Sequence, residues 1–101
     1  ERFVELTAAN PAKTLGLYPR KGALLPGSDA DIALWDPAKQ HAISVRSAHM
    51  RTDYDLWEGV ELTGFPEKIY LRGRLLVDGE RWLGGAGGGQ FLRRRVGAPV
   101  L

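Results

Sequence analysis

The sequence predicts an α+β chain in which two short helices lead into a small antiparallel or mixed sheet. Three observations predict it. Apolar residues recur at helical spacing as far as Leu17, extended alternation replaces that spacing after Gly22, and Pro26-Gly27 and Asp78-Gly79 punctuate the alternating part as turns.

From Glu1 to Ala9, Phe3, Val4, Leu6 and Ala9 suit one buried helical stripe, with Glu1 and Glu5 early, where the helix dipole favours negative charge. Asn10-Pro11 predicts a break, because a residue before proline is pushed away from helical geometry. A second short helix then starts, with Asn10 as its cap and Pro11 at the first helical position. Gly16 ends it in the left-handed conformation.

Ala23 to Leu25 reads as a short strand, and Pro26-Gly27 as a type II turn. Asp31 to Asp36 is apolar on both sides and predicts a central strand covered twice, closed by Pro37. His41, Ile43 and Val45 alternate with polar or small residues, as in a strand with one covered side, and residues 46 to 58 read as a long loop. Val60 and Leu62 resume the alternation and Gly64-Phe65-Pro66 interrupts it. Ile69 to Leu71 then pairs with Leu75 to Val77 across Arg72-Gly73-Arg74. Asp78-Gly79 returns Glu80 to Leu83 as a hairpin. Residues 84 to 89, all glycine but for Ala86, predict a linker, and Phe91, Leu92, Arg93, Arg94 and Arg95 a short adhesive tail.

The 101 residues, 44% hydrophobic and 26% charged, hold one domain or part of one. No apolar run approaches the ~20 residues of a membrane span. The lack of cysteine excludes disulfides, zinc thiolates and thiol nucleophiles, and is compatible with a cytoplasmic location. The net charge of +2 is local. Residues 1 to 71 carry eight basic and ten acidic side chains, residues 72 to 101 six and two. Glu1 opens directly into helical sequence, as if a longer chain had been entered midway.

No catalytic constellation emerges. His41 and His49 are eight apart, which is not a spacing that sets two ligands on one helical face. His49, Asp53 and Asp55 form the best local cluster, but in an irregular loop beside Arg51. Asp29, Asp31 and Asp36 sit at a turn and at strand ends, where carboxylates bond backbone N–H groups. The glycine run lacks the Lys-Ser/Thr of a phosphate loop, and Ser28, Ser44 and Ser47 lack a histidine at an interpretable spacing. Trp35, Trp57 and Trp82 read as core or interface aromatics. Three arginines are few for a nucleic-acid contact, and docking on an acidic patch of a sister subunit explains the same residues. No nucleic-acid or membrane partner is expected.

Asn10-Pro11-Ala12, Leu15-Gly16-Leu17, Gly22, Pro26-Gly27-Ser28-Asp29-Ala30-Asp31 and Asp36-Pro37 together resemble the C-terminal signature of the amidohydrolase superfamily. Phe3 to Thr7, Gly16 to Gly22, His49-Met50, Asp53-Tyr54, Glu58-Gly59, Thr63-Gly64 and Arg72-Gly73 narrow the resemblance to its hydantoinase and dihydropyrimidinase branch. What the resemblance implies is an α+β fragment: the terminal helices of a (β/α) barrel in residues 1 to 22, followed by the C-terminal strands of a small β-sandwich in 23 to 83. Residues 84 to 101 are then a Gly-rich linker and a basic tail for oligomer contacts. It implies hydrolysis of cyclic amides by two divalent metal ions, usually zinc, held upstream of Glu1, so that no catalytic, substrate-binding or metal residue falls in this chain.

Asn10, Pro11, Gly16, Gly22, Gly27, Asp31 and Gly73 are then structural, and Phe91 to Arg95 are oligomer contacts. The expected partners are the N-terminal part of the same enzyme and sister subunits of a homotetramer. The family's metal-free scaffold proteins share this region and form the alternative.

Overall fold

The computed structural model describes residues 1–96. Residues 97 to 101 of the expected tail lie outside the described residues. The chain divides into two compact units, one comprising Glu1–Asp31 with the segment from Gly85 onward, the other Ile32–Gly84.

In the first unit the helix does not break at Asn10-Pro11. Helix α1 (Arg2–Val4) runs through a π-helical turn (Glu5–Ala9) into helix α2 (Asn10–Thr14). Proline has no N–H to offer the carbonyl four residues back, and its ring crowds that carbonyl. Widening the preceding turn relieves this conflict, and the Asn10 N–H reaches Glu5 O, five residues back. Asn10 itself is helical (φ −67°, ψ −43°) and its side chain makes no cap. The expected cap is therefore corrected: Asn10 lies inside a continuous helix.

The helix ends as Gly16 requires. With Gly16 at φ 68°, its N–H bonds Lys13 O at 3.0 Å and the Leu17 N–H bonds Ala12 O at 2.8 Å, the paired bonds of a Schellman motif. Gly22, also left-handed at φ 76°, packs against this helix. Residues 23–25 form no strand. A three-residue extended run is a strand only when a neighbour supplies its ladder, and Leu24 is 74% exposed. The type II turn is present, with Gly27 at φ 91° and Ser28 N–H bonding Leu25 O at 2.9 Å.

The second unit is a four-stranded antiparallel sheet in the order β1 (Ile32–Ala42), β2 (Glu61–Leu71), β3 (Arg74–Asp78), β4 (Arg81–Trp82). The two strands expected on either side of Pro37 are one. Pro37 sits in an irregularity where Asp36 faces Phe65 and Gln40 faces Thr63, so three residues of β1 oppose Gly64 alone. An edge strand tolerates proline there because the missing N–H leaves no central ladder broken. That edge position also corrects the expectation of a strand covered on both sides, since Leu34 and Trp35 are half exposed. Gly64-Phe65-Pro66 lies within β2, and the pairing register shifts on either side of Phe65-Pro66, as the interrupted alternation predicts.

Arg72 and Gly73, at φ 48° and 79°, make the two-residue loop between β2 and β3, with Leu71 paired to Arg74. Positive φ at both positions is the type I′ requirement. The last hairpin pairs Asp78 with Arg81 around Gly79 (φ 62°), and β4 is shorter than the Glu80 to Leu83 expected. Among the described residues Ala12, 6% exposed, is the one buried apolar side chain, and large apolar residues such as Leu56 (80% exposed) and Phe91 (91%) face outward.

Candidate functional site

The densest set of interacting charges lies in the loop after the helix. The Asp29 N–H bonds Arg20 O at 2.9 Å and Ser28 Oγ donates to Pro19 O at 2.7 Å, so the chain on either side of the Pro26-Gly27 turn runs back beside residues 19–21. This places Asp29 between two cations. Lys21 Nζ is 2.9 Å from Asp29 Oδ2, Arg20 Nε is 3.0 Å from the same oxygen, and Lys21 also donates to Asp31.

Burial pulls the Lys21 ammonium toward lower pKa, but its bonds and charge interactions with Asp29 and Asp31 outweigh this and hold it above the usual lysine value. The hydrogen bond from Lys21, reinforced by Arg20 against a smaller desolvation effect, holds Asp29 below the usual carboxylate range. A lysine held protonated is no nucleophile, and a carboxylate held ionised is no general acid. The cluster is a clasp for the loop. Sequence reasoning assigned Asp29 a turn role and missed Arg20 and Lys21. The available signal was a basic pair facing two acids across a Pro-Gly turn.

A second meeting point is the helix end. The strand of chain at Arg95 crosses Gly16, with the Arg95 N–H bonding Gly16 O at 3.0 Å. A β-carbon on Gly16 would lie 1.9 Å from Arg95 O, so the crossing requires glycine there on steric grounds as well. Thr14, Leu15, Phe91 and the arginines 93 to 95 line an open groove beside this crossing.

The imidazoles stay apart from any relay. His41 stacks on Phe65 with ring centroids 3.8 Å apart, and its Nε2 is 3.5 Å from Ser47 Oγ, the long limit of a hydrogen bond. Ser47 Oγ bonds Ser44 O at 3.1 Å. His49, left-handed at φ 51°, sits 6.0 Å from the Trp82 ring. Asp55 Oδ1 accepts the Trp57 N–H and Asp36 Oδ1 the Ala38 N–H, both as local turn bonds. Among the described residues no three His, Asp or Glu side chains converge where they could hold a metal ion. The donor set present therefore does not fit a metal centre.

The sequence matches the model of the amidohydrolase family over residues 1–76. It is 44% identical over 94 residues to a D-hydantoinase of Ralstonia pickettii, covering 93% of this chain and 21% of that protein. It is 43% identical over 101 residues to a D-phenylhydantoinase of Escherichia coli O127:H6, covering 100% of this chain and 22% of that protein. The fold superposes on the crystal structure of dihydropyrimidinase from Brevibacillus agri with a TM-score of 0.90 and 39% identity, over 97% of this chain and 21% of the other. The chain thus spans about a fifth of the length of these relatives. A family match over most of its residues, with sequence likeness to hydantoinases and backbone likeness to a dihydropyrimidinase along nearly all of this chain, makes it a member of the amidohydrolase family.

Proposed function

We propose that the chain is the C-terminal portion of a metal-dependent hydrolase that opens cyclic amides, dihydropyrimidines and hydantoins, and that it serves fold completion and oligomerisation rather than chemistry. The observation that carries this reading is the 43% identity to a D-phenylhydantoinase over all 101 residues. In this reading residues 1 to 22 are trailing helices of the barrel, 23 to 83 belong to a β-sandwich, and 84 to 101 form the linker and oligomer tail of a cytoplasmic homotetramer. Pro11, Gly16, Gly22, Gly27, Asp31 and Gly73 keep these elements in shape. The two divalent ions, zinc, of this class of hydrolase have no ligand set among the described residues, so no catalytic step is assigned to them. The names of the relatives, D-hydantoinase and D-phenylhydantoinase, favour the hydrolase over a scaffold protein.

The test is ring opening of hydantoin and dihydrouracil with added zinc, by the enzyme that contains this chain and by the chain alone. Turnover by the former and none by the latter is expected. Turnover or tight zinc binding by the isolated chain would refute the non-catalytic assignment, and an inactive zinc-loaded parent would refute the hydrolase.

A further inference from the structure

Two segments of the molecule carry matched, opposite chemistry. The crossing segment presents Arg93, Arg94 and Arg95 behind the exposed ring of Phe91, and these arginines line the groove at the helix end with Leu15, itself 47% exposed. No ion pair among the described residues engages any of the three guanidinium groups. In the sheet unit, the loop run Asp53-Tyr54-Asp55-Leu56-Trp57-Glu58 intersperses three acids with three large apolar side chains. Those apolar side chains are 66%, 80% and 62% exposed at Tyr54, Leu56 and Trp57. The Asp53 carboxylate has no hydrogen bond or ion pair among the described residues, whereas Asp55 and Glu58 each spend one oxygen on a backbone N–H.

We propose that the groove formed by Arg93 to Arg95, Phe91 and Leu15 receives the 53–58 loop of a second copy of this chain. The inference rests on the oligomer role proposed above for the tail and supplies its partner surface. Three guanidinium forks face three carboxylates, a pairing that guanidinium geometry favours for both bonding and orientation. Tyr54, Leu56 and Trp57 bring the apolar area that anchors an interface, and Phe91 and Leu15 offer the complementary surface. Three acids within six residues, interspersed with three exposed large apolar side chains, distinguish this loop from acids that lie singly along the sheet, such as Glu61 and Glu67.

The test is charge exchange within the enzyme that contains this chain, read by sedimentation equilibrium, with far-UV circular dichroism confirming that each variant keeps its secondary structure. Arg93→Glu, Arg94→Glu and Arg95→Glu together, or Asp53→Lys with Asp55→Lys, should each weaken self-association about tenfold or more, and combining the sets should restore most of it. Unchanged association in both reversals, or no restoration in the combination, overturns the proposal. A chain ending at Gly84 separates this from the parent reading. If truncation dissociates the oligomer while the reversals leave it intact, the tail is an oligomer contact with a different partner surface. Because the chain has no cysteine, Asp53→Cys in one copy and Arg94→Cys in another provide a second readout. A mixed disulfide in excess over the statistical yield is expected. A statistical yield, or ready closure within a single dilute chain carrying both cysteines, overturns the proposal.

Discussion

Gly22 lies directly against Ala12: a β-carbon at position 22 would come within 2.6 Å of the Ala12 methyl and 2.7 Å of Ala8 O. Gly27 has a comparably left-handed backbone, φ 91° against 76°, but nothing within 4 Å of its missing side chain. The pair separates two causes of instability. Gly27→Ala should cost about 1 kcal/mol from backbone strain alone, and Gly22→Ala about 1–3 kcal/mol more from the collision. Equal losses in thermal melts of the two variants would show that the helix yields to the extra methyl.

Asn10→Ala should leave stability unchanged or raise it by about 0.5 kcal/mol. Asn10 caps nothing and occupies a helical position, where alanine has the better propensity. A loss near 1 kcal/mol in a denaturant titration would restore the cap that the structure lacks.

The Asp29–Lys21 clasp sets the pH limits of the loop. Asp29 has its folded pKa depressed, so its contribution is complete above the ordinary carboxylate value of about 4 and is lost as pH falls through the lower folded value. Lys21 has its folded pKa raised, so its contribution is complete below about 10.4 and is lost as pH rises through the higher folded value. Lys21→Met should raise the Asp29 pKa toward its ordinary value and move the acid limb of a melting-temperature profile to higher pH. Carboxyl NMR titration of Asp29 is the direct check, and an unmoved Asp29 would disprove the coupling.

Arg72→Asn should cost less than Gly73→Ala, since asparagine accepts the positive φ that Arg72 holds at 48°. Gly73→Ala should cost about 1 kcal/mol at φ 79°. The reverse ranking in urea melts would mean that the loop changes type when substituted.

With Ala12 the one buried apolar side chain among the described residues, the isolated chain should dimerise, exchange strands or aggregate. Sedimentation across a concentration series checks this, and a dilute monodisperse monomer with a cooperative melt would contradict it. In the hydrolase proposed above, deletion of residues 90 to 101 should loosen assembly before it affects metal content. Equal elution volumes with and without these residues would refute that.

What the sequence disclosed was mainly its punctuation. Gly16, Gly27, Gly73 and Gly79 are legible because only a residue without a β-carbon takes positive φ cheaply, so each announces its turn without tertiary information. The misreadings around Pro11 and Pro37 share one origin. Proline signals a local conflict but not its resolution, which was a widened helical turn in one case and an irregular edge strand in the other. Asp31 to Asp36 looked central because its apolar pattern records two covers, whereas its place in the sheet is decided by pairing. The Lys21–Asp29 clasp was hidden because its partners are eight residues apart and meet only after the turn at Gly27 has formed. The Arg95 crossing was beyond reach for the same reason over a far longer separation.

That separation sets an order of assembly. The Schellman bonds at Gly16 join residues at most five apart and can close as soon as Leu17 has been made. The Arg95 crossing over the same glycine waits until Arg95 itself has been made, and loop closure makes such distant contacts slow. A nascent chain that has reached only Leu83 carries a finished helix end without the groove beside it, so any contact through that groove must follow synthesis of the arginines.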